Sequence, residues 1–153
     1  MGYPNIDTDA YAQDPEDPPG FRAGALHLSP PGAELAVKAF ELPPGEKLCP
    51  YHYEYVEEWL ILGSGALTLR TPAGIEELVP GDVVRFPKGP DGAHQVTAHG
   101  DTPARFVMFS SAHEPSVAVY PDSDKVGVWS GDERDTFMFR RADGNVPYYD
   151  GEV

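Results

Sequence analysis

The chain has 153 residues, 41% of them hydrophobic, which is enough to bury the core of one domain and excludes an intrinsically disordered chain. Its 25 acidic residues against 11 basic ones give a formal net charge of −14 at pH 7, so nucleic acids and anionic membranes are disfavoured as partners. Cys49 is the single cysteine, which rules out an intrachain disulfide and fits a reducing compartment.

The N-terminal segment predicts an irregular arm over residues 1–34. It is rich in proline, glycine and acidic residues and has neither the basic region nor the apolar stretch of a signal peptide. The longest apolar run, Trp59 to Leu62, is far shorter than the roughly 20 residues of a membrane-spanning helix. We therefore expect a cytoplasmic protein.

The central segment, residues 35–112, predicts an all-β domain. Turn signals rich in proline and glycine recur at short, even intervals and separate runs of four to eight residues, which is typical of a sandwich or barrel. No window shows the sustained helical period that a helix of ten or more residues requires. The predicted strands are Leu35–Leu42, Trp59–Leu62, Leu67–Arg70, Ile75–Val79, Val83–Phe86, His94–Ala98 and Ala104–Ser110.

The C-terminal segment, residues 113–153, is again rich in proline, glycine and aspartate. Two short runs, Val126–Trp129 and Thr136–Arg140, predict strands within an otherwise extended tail. We expect this extension to pack on the barrel or on the partner subunit of a dimer.

A polar cluster between the first two predicted strands, together with a later histidine, is the strongest functional signal. His52 and Glu54 are two residues apart, so they share one face of an extended strand, and Glu58 follows at another even offset. His94 begins a later strand. One imidazole from each segment, with two carboxylates, suits a divalent ion such as Mn, Fe, Ni, Co or Zn. The alternative is an ordinary solvated face of an acidic protein.

The spacing of these residues resembles the first conserved motif of the cupin superfamily. In that family a glycine precedes His-x-His, and a glutamate and a second glycine follow. Gly45, His52, Glu54, Glu58 and Gly65 fill these places, with the expected six residues between Glu58 and Gly65. The departures are Glu54, which stands where the family has its second histidine, and one additional residue between Gly45 and His52.

A second stretch resembles the second cupin motif, in which a glycine, Pro-x-Gly, a histidine and an asparagine follow one another. Gly81, Pro87, Gly89 and His94 fill its places, while Ala98 stands where the family has asparagine. The gap from Gly89 to His94 is four residues, two more than the motif has. The stretches CPYHY, EEW, FPKGPDGAHQV and VYPDSDKVGVW also resemble small bacterial cupins, some of which are described as sugar-phosphate-isomerase-like.

The resemblance implies a double-stranded β-helix, or jelly-roll barrel, and a homodimer. It also implies one divalent metal ion held by His52, Glu54, Glu58 and His94. The expected function is a metalloenzyme acting on a small polar, oxygen-rich molecule, by isomerase, decarboxylase, lyase or dioxygenase chemistry. Glu54 or Glu58, where not coordinated, is the candidate general base. The alternative is a cupin that binds or senses a small molecule without catalysis.

Other conspicuous side chains have structural explanations. Trp59 and Trp129 are expected in the core or an interface. The tyrosines that alternate with the proposed ligands are expected to pack outside the barrel wall. Three strand arginines, Arg70, Arg85 and Arg105, are expected to form outward-facing ion pairs; the alternative is an inward arginine that binds a carboxylate or phosphate near the metal. No carboxylate at ligand spacing accompanies His27, His99 or His113.

Overall fold

The structure is a computed structural model that describes residues 2–152, and its architecture is almost entirely β. The strands are β1 (Ala12–Gln13), β2 (Gly24–His27), β3 (Leu35–Leu42), β4 (Tyr53–Glu54), β5 (Glu58–Ser64), β6 (Ala66–Thr71), β7 (Gly74–Leu78), β8 (Val83–Phe86), β9 (Gln95–His99), β10 (Ala104–Ser111), β11 (Ser116–Tyr120), β12 (Lys125–Trp129) and β13 (Phe137–Arg140). Helical structure among the described residues is limited to three 3₁₀ turns and one four-residue turn, α1 (Arg141–Gly144). None of these helical segments has the length and hydropathy of a membrane span.

Two antiparallel sheets enclose the main core. One has the strand order β1-β2-β3-β10-β5-β8, and the facing one has the order β7-β6-β9. Alternate residues of these strands point inward, as the period-two pattern of a strand requires. The core is formed mainly by leucines and aromatic residues from both sheets: Leu42, Leu60, Leu62, Leu67, Leu69, Leu78, Phe86, Val96, Ala98, Ala104, Phe106 and Met108. This is the predicted jelly-roll barrel.

A third sheet, β13-β12-β11-β4, joins residues after 112 to the barrel. Within this sheet, β11 pairs with β4 and places Val119 opposite Tyr53. Tyr51 and Tyr53 are buried with Val119 in a second apolar cluster, whereas Tyr55 is exposed. Two of the three tyrosines therefore lie outside the barrel wall, as predicted, and β11 and β12 cover them.

The N-terminal segment differs in part from its prediction. We expected an irregular arm over residues 1–34, but β1 and β2 extend the six-stranded sheet beyond β3. Both strands are short and lie among prolines and glycines, so the local pattern gave no strand signal. Their pairing depends on the free edge of β3, which is a tertiary feature that the sequence does not display locally.

The three strand arginines form outward ion pairs, which confirms their predicted role. Arg85 contacts Glu57 and Arg105 contacts Glu41, each through a partly exposed side chain. Arg70 makes two hydrogen bonds to Asp122, at 2.6 and 3.0 Å, and its guanidinium lies 3.9 Å from the centroid of the Tyr51 ring. Arg70 thereby ties the three-stranded sheet to the C-terminal extension.

Because the Arg70–Asp122 pair is largely exposed, we expect Arg70→Met to lower the free energy of unfolding by only about 1 kcal/mol. Urea denaturation of the wild type, of Arg70→Met, of Asp122→Asn and of the double variant measures this coupling. A loss well above 2 kcal/mol would contradict the interpretation of a weak surface pair.

Candidate metal centre

His52 and His94 are brought together by a short bridge between two segments that are distant in sequence. The His52 N–H donates to the His94 carbonyl at 3.1 Å, and the His94 N–H donates to the His52 carbonyl at 2.8 Å. Residues paired in this way place their side chains on the same face. The two imidazole centroids are 4.8 Å apart, and both side chains are buried.

Each imidazole is oriented by its own loop. His52 Nδ1 lies 3.0 Å from the Pro50 carbonyl oxygen, and His94 Nδ1 lies 2.9 Å from that of Gly92. A protonated Nδ1 satisfies each carbonyl and leaves each Nε2 as a free lone pair. Ring stacking supports this orientation, with Phe86 on His94 and Tyr120 on His52.

Glu58, the first residue of β5, brings a carboxylate to the two histidines. Its Oε2 lies 3.8 Å from His94 Nε2. One donor atom from each of His52, Glu58 and His94 lies within 4.8 Å of the others. The His94 Nε2 is fully buried and has no hydrogen-bond partner among the described residues. A buried polar atom without a hydrogen-bond partner lowers the stability of the fold by about 1–3 kcal/mol. A ligand bound at this atom would remove that cost.

Glu54 lies beside this group of three and is not part of it. Its Oε1 is 3.9 Å from His52 Nε2, and its side chain is partly buried at the end of β4. Three members of the predicted four-residue set are therefore clustered, and Glu54 lies adjacent to them. Coordination by each of the four remains a prediction.

The charges of these groups are strongly affected by burial. Desolvation raises the pKa of Glu58 to about 8, with the nearby Glu54 contributing. Desolvation also raises the pKa of Glu54, against the opposing effect of Lys38. It lowers the pKa of His94 to about 4, helped by His52, and lowers that of His52. Both imidazoles are therefore neutral at pH 7, which is the form that binds metal ions.

The donor set fits a divalent metal ion. Protein nitrogen and oxygen ligands bind Zn²⁺ at about 2.1 Å, so donors that share an ion lie up to about 4.2 Å apart. Small side-chain rotations bring the three donors into this range. Two neutral imidazoles and one or two carboxylates suit borderline divalent ions. The burial of His52 and His94 also limits competition from solvent.

The turn before His94 absorbs the irregular spacing of the second motif. Pro90–Gly92 forms a 3₁₀ turn, which takes up the two additional residues and returns His94 to its place opposite His52. The Gly89 N–H donates to the Glu54 carbonyl at 2.7 Å, so this turn also contacts the first motif. A Cβ atom on Gly92 would fall on the Pro87 carbonyl oxygen and lie 2.8 Å from its carbon. Glycine is therefore required at that position for steric reasons.

His52, Glu54 and Glu58 line a cavity of about 650 Å³. The sequence analysis did not predict several of the residues that line this cavity. Lys38 reaches it from β3, Tyr120 from the end of β11 and Trp129 from the end of β12. His113, which was given no role from its sequence context, lies at the exposed mouth. The parity of β3 is the one signal that could have identified Lys38, because Lys38 shares a strand face with Phe40 and Leu42.

Comparisons with known proteins agree with this architecture. Residues 38–110 match the model of the cupin domain family. A cupin-superfamily sugar phosphate isomerase from Silicibacter pomeroyi superposes with a TM-score of 0.76 at 26% identity, covering 95% of this chain and 96% of that chain. No curated protein sequence matches this chain.

Two further solved structures share the fold at lower identity. A candidate sugar phosphate isomerase from Acidithiobacillus ferrooxidans gives a TM-score of 0.81 at 20% identity, covering 93% of this chain and 92% of that chain. A polyketide cyclase from Streptomyces resistomycificus gives 0.61 at 20% identity, covering 76% and 83%. The family match, the jelly-roll barrel and the paired motif histidines lead to one conclusion: residues 38–110 of this chain form a domain of the cupin family.

Proposed function

We propose that this cupin is a metal-dependent enzyme that acts on a small molecule bearing oxygen donors. His52, Glu58 and His94 would hold the divalent ion, with Glu54 beside it. The observation that carries the proposal is the buried, unpartnered Nε2 of His94, which faces Glu58. When bound, the ion would supply Lewis acidity toward the oxygen atoms of the substrate.

Glu54 is the candidate general acid–base. It lies outside the clustered group of three but within 3.9 Å of His52 Nε2. Desolvation raises the pKa of its carboxyl group from the ordinary value, which brings it closer to neutral pH, where proton transfer is most effective. Proton transfer next to a carbonyl group is the chemistry that this placement favours. The neighbour from Silicibacter pomeroyi is named a sugar phosphate isomerase, a name consistent with proton transfer of this kind.

Metal content tests the proposal. We expect purified wild-type protein, incubated with Mn, Fe, Ni, Co or Zn and then dialysed, to retain close to one ion per chain. The His52→Ala/His94→Ala double variant should retain almost none, because both nitrogen donors are lost. Elemental analysis measures both proteins.

His99→Ala is the matched control, since His99 is a half-exposed histidine that contacts Glu77. This variant should keep the wild-type metal content. Absence of metal from the wild type after every incubation, or equal retention by the double variant, would overturn the proposed centre.

A further inference from the structure

The outer face of the six-stranded sheet is apolar, although it lies on the side away from the core. Residues that pair directly across antiparallel strands project from the same face, so the strand register defines one row that crosses five strands. That row consists of apolar side chains: Leu26, Ala39, Val107, Ile61 and Val83. The next row continues the apolar surface and ends at an arginine: Val37, Phe109, Trp59 and Arg85.

The outer face of the three-stranded sheet shows the ordinary pattern instead. The residues that alternate with the buried leucines of β6 are mostly polar, and so are their partners on β9: Thr68, Arg70, Gln95 and Thr97. An antiparallel sheet that packs one face on the core normally has a polar second face. The six-stranded sheet departs from this pattern, and a contiguous apolar patch on a protein surface is a sign of an interaction site.

The part of this face on β5 and β8 is open to solvent. Ile61 is 39% exposed and Val83 is 56% exposed. Beside them, the Trp59 and Phe109 rings lie nearly parallel with their centroids 6.2 Å apart, and both residues are partly buried. At the other end of the face, the N-terminal arm and the sheet enclose a cavity of about 290 Å³, which is lined in part by Ile6, Tyr11, Ala39, Ile61 and Val107.

The charged side chains at the margins of these rows balance one another. Arg85 pairs with Glu57 at one margin, and Arg105 pairs with Glu41 at the other, with Asp7 of the arm lining the same cavity as Arg105. The face is therefore close to neutral, whereas the whole chain has a net charge of −14. Two identical patches that meet across a two-fold axis bring each charge close to its own copy, and opposed like charges are costly in an interface. A charge-balanced apolar face is suited to a second copy of this acidic chain.

The dimensions of the face are also compatible with a dimer. Strands lie about 4.8 Å apart and rise about 3.3 Å per residue, so five strands and the run from Arg105 to Ser111 of β10 span roughly 24 Å by 20 Å. This is a footprint of roughly 480 Å² per copy before the relief of the side chains is counted. Stable interfaces bury about 800 Å² of accessible surface on each partner, and the projecting side chains and the adjoining arm add to the footprint.

From these observations we infer that two copies of this chain associate through the outer face of the six-stranded sheet, across a two-fold axis. Ile61, Val83, Trp59 and Phe109 are the side chains that lose exposure in this dimer. The family resemblance implies a dimer without saying which surface forms it, and the strand register assigns that surface. The inference is independent of the proposed metal centre, because neither row contains a residue of that centre.

Sedimentation velocity on chelator-treated protein measures the association. We expect the wild type to be a dimer at about 50 µM, with a dissociation constant at or below about 1 µM. Ile61→Asp should raise that constant at least about 100-fold, because the two-fold axis places two unpaired carboxylates in an apolar interface. Val83→Asp should act in the same direction and keeps the test valid if Ile61→Asp does not fold.

Ile75→Asp is the matched control, because Ile75 is a strand isoleucine that is 71% exposed on β7 of the opposite sheet. This variant should remain dimeric with the wild-type dissociation constant. Far-UV circular dichroism checks that each variant retains the fold.

Charge variants test the balance of the face. Arg85→Glu removes the cation that pairs with Glu57 and adds a second carboxylate on each copy. It should weaken association at least about tenfold at low salt and recover at high salt, because the repulsion is screened. The Glu57→Arg/Arg85→Glu double variant restores the balance and should restore the wild-type dissociation constant.

Fluorescence assigns the association to this face. The chain has two tryptophans, so Trp129→Phe leaves Trp59 as the single reporter. Dilution through the dissociation constant should expose the Trp59 indole and shift its emission to longer wavelength. A wild type that stays monomeric, a dimer that both aspartate variants leave intact, or dissociation without a change in Trp59 emission would each overturn the inference.

Discussion

Replacement of Glu58 by glutamine is expected to stabilise the metal-free protein above pH 8 while weakening its binding of metal. Glu58 is largely buried and its pKa is raised to about 8, chiefly by desolvation. The unfolded chain ionises this carboxyl near 4.5. Each pH unit between the two values is worth about 1.4 kcal/mol, so we expect a gain of about 2–4 kcal/mol at pH 9.

The direction of the effect follows from proton binding. Between pH 4.5 and 8 the folded, metal-free protein holds a proton on Glu58 that the unfolded chain releases, so stability falls as the pH rises through this interval and the loss is complete above pH 8. His94 has the opposite effect, because its pKa is lowered to about 4 and stability is lost as the pH falls from about 6.5. The wild type should therefore lose stability mainly between pH 6.5 and 8, whereas Glu58→Gln should lose much less there, because only the raised pKa of Glu54 still contributes.

Urea denaturation at several pH values, with chelator present, measures the stability of both proteins. Zinc titration should show at least about a tenfold weaker affinity in Glu58→Gln, since even indirect partners of a ligand contribute 10- to 100-fold. Glu57→Gln is the control, because Glu57 is a partly exposed neighbour that contacts Arg85; it should leave metal affinity unchanged. Parallel pH profiles in the wild type and Glu58→Gln would contradict the raised pKa.

Gly92→Ala is expected to lower the free energy of unfolding by about 2–4 kcal/mol and to weaken metal binding. The added methyl group would fall on backbone atoms of Pro87, which cannot move aside as a flexible side chain can. The Gly92 carbonyl accepts the hydrogen bond that orients His94 Nδ1. Displacing it should rotate the imidazole and reduce metal affinity by about 10- to 100-fold.

Thermal or urea denaturation gives the stability loss for Gly92→Ala, and zinc titration gives the affinity. Gly100→Ala is the control: its Cβ would meet open space, but its φ is +85°, so it should cost about 1 kcal/mol of backbone strain and leave metal affinity intact. Equal effects of the two substitutions on metal binding would show that the Gly92 contact does not position His94.

The strands of the barrel were predictable because each has a strong local signal. Alternating apolar residues bounded by proline and glycine identify β3, β5, β6, β7, β8, β9 and β10, and the structure places all seven close to the predicted bounds. The segments β1, β2, β4 and β11 were missed. Two of them have only two residues, and each depends on pairing with a distant strand that local sequence does not encode.

The site residues were also named from sequence, because two-residue spacing and the motif resemblance need no tertiary information. The predicted homodimer, the cytoplasmic location and coordination by all four residues stay predictions. The cavity walls were largely not predictable, since Tyr120 and Trp129 come from the C-terminal extension, and their approach requires β11 to pair with β4.

The sequence by itself determined the all-β class, the cupin resemblance and the identity of His52, Glu54, Glu58 and His94 as candidate ligands, because periodicity and motif spacing are local properties. Only the tertiary structure decided that three of these cluster while Glu54 stands beside them, and that Lys38, Tyr120 and Trp129 line one cavity with His52 and Glu58. Those relations depend on distances between strands remote in sequence, where burial and neighbouring charge set the chemistry of each group.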